Sequence, residues 1–289
     1  MVGGERGGAR AVSKGRPALD VSLVTGAARL GSSSWTSPAW AGRFYPLGTH
    51  DRDRLSYYAK FYDTVEVDST YYRDPGPSLF RRWASVTPSG FVFAVKFPRD
   101  LLDPKSEIER VLVDRFLGNA RELGEKLGPV LLQFPPWVKP GLATSFLERL
   151  LDRLDPSIRY SVEVRAEEWF EQPTWDWLRG QLVDRHVALT WSYLTYLDVP
   201  AERTTDFVYL RFIGDHKTVP DESHGEIRVN RDPVITRWAE RLSEALVSVG
   251  NGFAFFNNHF QGFSPESINL FRRAIRLPPV RYAPKPVTQ

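Results

Sequence analysis

Short apolar runs recur along the chain, and longer stretches of mixed polarity separate them. Each run is four to six residues long and is bounded by turn-forming residues, which predicts eight β-strands. Their nearly continuous apolar character is typical of parallel strands that helices cover. The predicted strands span residues 30–34, 64–67, 91–96, 130–133, 160–164, 187–190, 207–212 and 252–256.

Helical periodicity fills most of the intervals between these strands. Asp232 followed by Pro233, and Ser264 followed by Pro265, each predict an N-terminal cap and a proline in the first turn of a helix. The interval between the sixth and seventh strands is too short for a full helix. The other predicted helices span residues 52–61, 78–84, 106–128, 143–154 and 174–185.

Eight strands that alternate with helices over about 250 residues predict a single-domain (β/α)8 TIM barrel. A doubly wound open sheet is the alternative, and it is disfavoured because no glycine-rich dinucleotide loop follows the first strand. The expected barrel domain covers residues 29–280, with a C-terminal tail at 281–289. Residues 1–28 are rich in glycine and basic side chains, which predicts a disordered leader.

The net charge of +3 comes from the start of the chain. Residues 1–29 hold five basic and two acidic side chains, which leaves 33 of each from totals of 38 and 35. A neutral body gives no compositional support to a nucleic-acid partner. No run approaches the roughly 20 apolar residues that cross a membrane, so we expect no membrane partner. With no cysteine, the composition fits a reducing compartment, and we expect a cytoplasmic protein.

Polar side chains end nearly every predicted strand. Barrel enzymes place their chemistry at the carboxyl ends of the strands, so these side chains are the candidate site. Because side chains alternate along a strand, Glu66 shares a face with Asp68, and Glu163 shares one with Arg165. The candidates are Trp35, Glu66, Asp68, Lys96, Gln133, Glu163, Arg165, Arg211, Asn257 and His259.

This set contains three acids and three bases, so it forms a neutral ring if His259 is neutral. One interpretation is a network of buried ion pairs that only fixes the barrel. The other is a functional site, which we favour because a stability network has no reason to prefer one end of every strand. Side chains spread along the barrel would argue against this interpretation.

Seven segments of the chain resemble conserved blocks of one family, the YecE-like domain of unknown function 72. They are GSSSWTSPAWAGRFYP, TVEVDSTYYR, FVFAVKFP, LGPVLLQFPP, SVEVR with Trp169, VYLRFIGD and FFNNHFQGFSP. The resemblance implies a TIM barrel with a polar pocket at its carboxyl face, loosely related to sugar isomerases and endonucleases, and it names no reaction. By matching position it implies the pocket residues Trp35, Glu66, Lys96, Gln133, Glu163, Arg165, Arg211 and Asn257.

Two residues depart from the family pattern. Asp68 stands where the pattern usually has Asn, and Ile213 stands where many members have His. The first adds a negative charge to the mouth of the barrel, and the second removes a base. This chain is therefore not expected to share one substrate with all its relatives.

The favoured function is an enzyme, a hydrolase or isomerase, that acts on a small anionic or sugar-like substrate by acid–base chemistry. Lys96, Arg165 and Arg211 would hold a phosphate or carboxylate. Glu66 is the expected proton-transfer residue, because Arg165 keeps Glu163 ionised. The predicted catalytic residues are Glu66, Glu163 and Lys96, and the predicted substrate-binding residues are Trp35, Asp68, Gln133, Arg165, Arg211, Asn257 and His259.

Other interpretations stay open. No organic cofactor is expected, but a divalent metal held by Glu66, Asp68, Glu163 and His259 would suit a phosphoesterase or isomerase. A binding module for nucleic acid or a nucleotide would stack bases on Trp35, Trp40, Tyr45, Tyr71 and Tyr72, although packing beneath the first loops explains these aromatics better. The loop at 214–230 is either a lid or a mobile surface segment. The sequence gives no oligomeric state.

Overall fold

A computed structural model describes residues 28–282, and eight parallel strands in it form a nearly closed barrel. The strands are β1 Ala28–Ser32, β2 Thr64–Val67, β3 Val92–Lys96, β4 Leu127–Gln133, β5 Tyr160–Glu163, β6 Ala188–Leu194, β7 Leu197–Asp198, β8 Phe207–Phe212 and β9 Asn251–Phe256. Around the barrel they follow the order β1-β9-β8-β6-β5-β4-β3-β2, and β7 forms a short antiparallel hairpin with β6. The predicted (β/α)8 fold is confirmed, and the open-sheet alternative is wrong.

The helices alternate with the strands in sequence, and the last two follow β9. They are α1 Asp51–Tyr58, α2 Pro77–Ser85, α3 Arg110–Ala120, α4 Pro140–Leu151, α5 Thr174–Asp184, α6 Asp232–Leu246, α7 Asn258–Gln261 and α8 Ser264–Ala274. Within the described chain, residues 199–206 contain no helix, as the short interval predicts. The prediction that Asp232 and Ser264 are caps is wrong, because each is already the first helical residue and Arg231 and Phe263 precede them. The prolines do stand in the first turns.

The barrel closes between β1 and β2, where no ladder of backbone hydrogen bonds joins the two strands within residues 28–282. The Tyr58 hydroxyl, at the end of α1, lies in this seam. It accepts a hydrogen bond from Ser32 N–H at 2.9 Å and donates one to the Thr64 carbonyl at 3.2 Å. Gly31 permits the close approach, because a Cβ at that position would lie 2.3 Å from the Thr64 oxygen. The Tyr58 hydroxyl thus links β1 to β2 in place of direct backbone hydrogen bonds.

The interior of the barrel is apolar towards the amino ends of the strands. One buried cluster fills it, formed by Val92, Ala94, Leu131, Ala188, Phe207, Tyr209, Phe253 and Phe255. Side chains of alternating residues face inward, so the next inward position of β3 after Ala94 is Lys96, and that of β8 after Tyr209 is Arg211. The barrel therefore changes from apolar to charged along its own axis.

Several strand boundaries differ from the prediction, and the largest differences are that β1 begins and ends two residues earlier, β4 begins at Leu127 and β6 continues to Leu194. The helix predicted over residues 106–128 covers only Arg110–Ala120, because a 3-10 turn and then β4 follow it. The predicted leader lies outside the described residues except for Ala28, where β1 begins. Of the predicted tail, only Arg281 and Tyr282 are described, and Tyr282 packs against Phe44 with a ring separation of 5.2 Å. In the described part of the chain, every helix is too short or too polar to cross a membrane.

Candidate functional site

Five predicted polar residues lie together at the carboxyl mouth of the barrel. They occupy the last inward positions of β2, β3, β4, β5 and β8, and each is almost fully buried: Glu66, Lys96, Gln133, Glu163 and Arg211. Adjacent strands bring some of them side by side, since β4 and β5 pair Gln133 with Glu163. The candidates are gathered at one mouth and are not spread along the strands.

Arg211 is the centre of a closed group of hydrogen bonds. Its Nε and Nη2 donate to Glu66 Oε1 at 3.2 and 2.7 Å. Its Nη1 donates to Gln133 Oε1 at 3.0 Å and to Glu163 Oε2. The Tyr209 hydroxyl donates to the other Glu66 oxygen at 2.6 Å. We call these five residues, Glu66, Gln133, Glu163, Tyr209 and Arg211, the inner ring.

Burial and neighbouring charges shift the pKa values of three inner-ring residues. Burial raises the pKa of Glu163, but the guanidinium groups of Arg165 and Arg211 outweigh it and lower that pKa to about 2. Burial lowers the pKa of Arg211, yet Glu163 and Glu66 raise it well above its ordinary value. Burial and the Glu66 carboxylate raise the pKa of the Tyr209 hydroxyl. These groups are held in their usual charge states, so none of them is poised to exchange protons near neutral pH.

Three charged residues lie beside the inner ring and line the cavity described below, and we call Asp68, Lys96 and Arg165 the outer group. Lys96 Nζ lies 3.1 Å from Asp68 Oδ1, at an angle that does not make a hydrogen bond, and 4.3 Å from the Tyr71 ring centroid. Burial lowers the pKa of Lys96, although the Asp68 carboxylate partly opposes this. The ammonium group is therefore less firmly charged than an ordinary lysine.

Arg165 has unused hydrogen-bonding capacity. Its Nε donates to Glu163 Oε1 at 2.8 Å, which links the outer group to the inner ring. Its two terminal nitrogens make no hydrogen bond to any described residue, and the side chain is only 15% exposed. A guanidinium held by its Nε presents its terminal N–H groups as a fork that matches a carboxylate or phosphate.

A cavity of about 150 Å³ lies over these groups. Gly214 stands at its edge with a φ of 70°, and a Cβ there would lie 2.0 Å from the His259 carbonyl oxygen, so only glycine fits. The cavity is lined by Asp68, Tyr72, Lys96, Gln133, Arg165, Arg211, Ile213, Gly214, His216, Asn257 and His259. A larger cavity of about 550 Å³ lies at the amino end of the barrel, beside Arg29 and Asp63. We assign the site to the smaller one, because the charged groups converge there and barrel enzymes react at the carboxyl face.

Three predicted site residues do not line this cavity. Glu66 and Glu163 are 0% and 1% exposed and lie behind Arg211. Trp35 is turned away from the mouth and packs edge-on against Trp83 of α2, with ring centroids 5.5 Å apart. The chain leaves β1 at Ser32, two residues earlier than predicted, so Trp35 belongs to a loop and not to a strand end. Asp68, Lys96, Gln133, Arg165, Arg211, Asn257 and His259 do line it.

The aromatic residues of the first loop are packed into the core. Trp40 and Tyr45 are each 1% exposed, and Trp40 stacks on Tyr58 at a ring separation of 6.4 Å. Neither ring is available to a base, which agrees with the packing interpretation. Tyr72 is 66% exposed and is the one member of that predicted set that lines the cavity.

The segment 214–230 lies against the mouth and brings residues that the sequence analysis did not select. His259 Nε2 lies 3.2 Å from Asp221 Oδ1, and the rings of His216 and His259 are 3.6 Å apart. The His224 ring is 4.6 Å from that of His259. Only the packing of a long loop brings these residues together, and no sequence spacing indicates it. Alternation places Tyr209 on the same face as Arg211, two residues later, but Tyr209 was not among the candidate site residues.

Comparison with known proteins gives a family and a fold. A family model described as a protein of unknown function, DUF72, matches residues 29–289. The UPF0759 protein YecE of Escherichia coli (strain K12) is 30% identical over 143 residues, so the match spans about half the length of that relative, 49% of each chain. The UPF0759 protein YunF of Bacillus subtilis (strain 168) is 23% identical, over 75% of this chain and 85% of that one.

Two solved structures share the fold. A DUF72 family protein from Thermotoga maritima MSB8 superposes with a TM-score of 0.71 at 24% identity, covering 86% of this chain and 99% of that one. A DUF72 family protein from Enterococcus faecalis V583 gives a TM-score of 0.70 at 19% identity, covering 87% and 98%. At these identities the likeness shows the barrel fold alone.

Proposed function

The chain belongs to the DUF72 family, and from the geometry of its barrel mouth we propose that it is an enzyme for a small substrate with an anionic group. This proposal rests on which charged groups face the cavity and which lie behind them. Arg165 and Lys96 line it, whereas the carboxylates of Glu66 and Glu163 lie behind Arg211. Cations thus face the cavity while two of their balancing anions face away from it.

Arg165 is the residue proposed to bind the anion. Its Nε is fixed by Glu163, so its terminal N–H groups are oriented before a ligand arrives. A preoriented guanidinium binds an oxyanion through two parallel hydrogen bonds without losing much side-chain entropy. Arg211 contributes less, because most of its N–H groups already bond to Glu66, Gln133 and Glu163.

Lys96 is the residue proposed to transfer the proton. Burial lowers the pKa of its ammonium group, and its Nζ is at the cavity beside Asp68. The ammonium group donates a proton to the substrate, and the neutral amine that remains takes a proton back later in the reaction. The structure thus argues against Glu66, the residue expected from the sequence, because Glu66 is bonded to Tyr209 and Arg211 and does not reach the cavity. Glu163 becomes the residue that positions Arg165.

The size of the cavity limits the substrate. At about 150 Å³ it is smaller than the roughly 300 to 1,000 Å³ of typical ligand pockets. It therefore suits a phosphate or carboxylate group with a small attached body, such as one end of a phosphorylated sugar. A stacked base would have to lie outside, near the exposed Tyr72.

Binding of inorganic phosphate, followed by calorimetry, tests the anion role. We expect Arg165→Ala to weaken binding at least tenfold, because a charge-assisted hydrogen bond contributes about 1.5 to 3 kcal/mol. Arg179→Ala is the matched control, since Arg179 pairs with Glu202 on the surface. Equal phosphate affinity in wild type and Arg165→Ala would overturn the anion site.

Turnover of phosphorylated sugars and phosphoesters tests the proton-transfer role. Once a substrate is found in such a panel, Lys96→Met should lower kcat by about 10² to 10⁴. Glu66→Gln should lower it only as far as it disturbs the fold. If Lys96→Met retains full turnover and Glu66→Gln abolishes it without loss of stability, the assignment returns to Glu66.

A further inference from the structure

We propose that His216, Asp221 and His259 form a binding site for a divalent transition-metal ion such as Zn²⁺. Each offers one ligand atom, and the three atoms lie within 4.8 Å of one another. Asp221 and His216 belong to the segment between β8 and α6, and His259 is in α7, directly after β9. This set differs from the metal ligands expected from the sequence, of which only His259 is retained.

The orientation of the His259 ring is that of a metal ligand. Its Nδ1 lies 2.7 Å from the Val219 carbonyl oxygen, and a carbonyl only accepts, so Nδ1 carries the proton. In the neutral ring, Nε2 then holds a lone pair. Metal-ligating histidines usually donate their second N–H to a backbone carbonyl or a carboxylate in this way, which fixes the ring and its tautomer.

The partner of Nε2 is another acceptor. Asp221 Oδ1 lies 3.2 Å from it, so two lone-pair donors face each other at close range. Either a proton or a metal ion must lie between them to make the contact favourable. Two ligands held at about 2.0 to 2.1 Å from one ion, at the tetrahedral angle, lie roughly 3.3 Å apart. The observed separation of 3.2 Å matches that of two ligands of one ion.

His216 supplies the third ligand. It is exposed, and its ring lies over that of His259, with centroids 3.6 Å apart. Its ligand nitrogen lies within 4.8 Å of the other two ligand atoms. Two histidines and one carboxylate leave open coordination positions, as catalytic zinc and iron sites do. His224, whose Nε2 is 3.3 Å from His259 Nδ1, packs behind this ring and is not a ligand.

A metal ion at this site would also affect segment 214–230 and the cavity at the mouth. His216 and His259 both line the cavity at the mouth, so an ion here would sit at the edge of the proposed substrate site. Since two of the ligands belong to segment 214–230, the ion would also clamp this segment to the barrel. The site stands on its own geometry and does not require the anion chemistry proposed above.

Titration of the metal-free protein tests the site. The protein is purified without a histidine tag, treated with a chelator, and titrated with Zn²⁺ by calorimetry and with Co²⁺ by visible absorption. We expect one ion per chain and an absorption spectrum typical of tetrahedral Co²⁺. His216→Ala and Asp221→Asn should each weaken binding at least tenfold. Both residues are exposed, so these variants keep the fold, whereas His259→Ala removes a buried ring.

Two matched variants complete the experiment. His50→Ala and His186→Ala remove exposed histidines that do not belong to the cluster and should bind as the wild type does. Hydrogen exchange of residues 214–224 should slow when Zn²⁺ is added. The proposal is overturned if no saturable site exists, or if His216→Ala and Asp221→Asn bind like the controls. Phosphate binding, measured separately, would be unaffected by that result.

Discussion

The inner ring and the outer group lie at the same mouth and contain the same kinds of side chain, yet they differ in how far their bonding capacity is used. Arg211 bonds to three inner-ring residues, and both Glu66 oxygens accept hydrogen bonds. In the outer group, the terminal nitrogens of Arg165 have no partner in the described chain. The number of charges therefore does not distinguish a structural network from a binding site, whereas unused donors do.

Position along the chain accounts for part of this difference. Glu66 lies within β2 and Glu163 is the last residue of β5, and Asp68 and Arg165 follow them by two residues, beyond the strand ends. Glu66 and Glu163 are fully enclosed and do not line the cavity, whereas Asp68 and Arg165 do. Lys96 is the last residue of β3 and also lines the cavity, so the position of a charge relative to the strand end does not by itself decide which group it joins.

The largest expected effect comes from opening the inner ring at Arg211. Arg211→Met keeps most of the side-chain volume but leaves Glu66 and Glu163 without their shared cation. Removing one partner of a buried ion pair costs about 3 to 5 kcal/mol in the free energy of unfolding. Urea denaturation monitored by circular dichroism measures this loss.

Arg179→Met is the control for Arg211→Met. Arg179 also donates to a carboxylate, that of Glu202, but both side chains are more than one-third exposed. Exposed ion pairs contribute about 0 to 1 kcal/mol to stability. Arg211→Met should therefore lower the free energy of unfolding several times more than Arg179→Met does. If they lose the same stability, the inner ring does not hold the fold together, and the contrast with the outer group fails.

The sequence predicts the barrel and the charged residues at the strand ends well, for a physical reason. Apolar runs specify the strands, and alternation then decides which side chains face inward, so Glu66, Lys96, Glu163 and Arg211 follow from local pattern alone. The pairing among them does not, because it depends on which strands become neighbours across the closed barrel. Glu66 reaches Arg211 from 145 residues away. That is why the proton-transfer role expected for Glu66 does not fit the geometry.

Residues beyond the strand ends are less predictable. Trp35 leaves the mouth because the chain turns after Ser32, and its ring then packs against Trp83. Asp221 reaches His259 through a long loop that has no periodic pattern of apolar residues. Both outcomes depend on tertiary packing of irregular backbone, and the alternation rule does not apply there.

A smaller effect is expected at Tyr209. Tyr209→Phe removes a hydrogen bond of 2.6 Å to the buried Glu66 carboxylate, and a bond to a charged group contributes about 1.5 to 3 kcal/mol. Tyr62→Phe is the matched control, because the Tyr62 hydroxyl is buried and has no hydrogen-bond partner within residues 28–282. Thermal and urea unfolding should show a clear loss for the first variant and little change for the second. Equal behaviour would mean that Tyr209 does not belong to the inner ring.

The smallest expected change in stability is that of Lys96→Met, in the outer group. Burial lowers the pKa of Lys96 in the folded state, so the charged ammonium group opposes folding at neutral pH, and that cost disappears as the pH rises towards the unfolded value near 10.5. Methionine removes the cost but leaves the part-exposed Asp68 without Lys96. We expect the free energy of unfolding of Lys96→Met to lie within about 1 kcal/mol of the wild-type value at pH 7.

Urea unfolding of both proteins at pH 7 and pH 9.5 measures this difference. As the pH rises, the free energy of unfolding of the wild type should increase relative to that of Lys96→Met. A loss of stability as large as that of Arg211→Met would place Lys96 among the residues that hold the barrel together. The division between the inner ring and the outer group would then not stand.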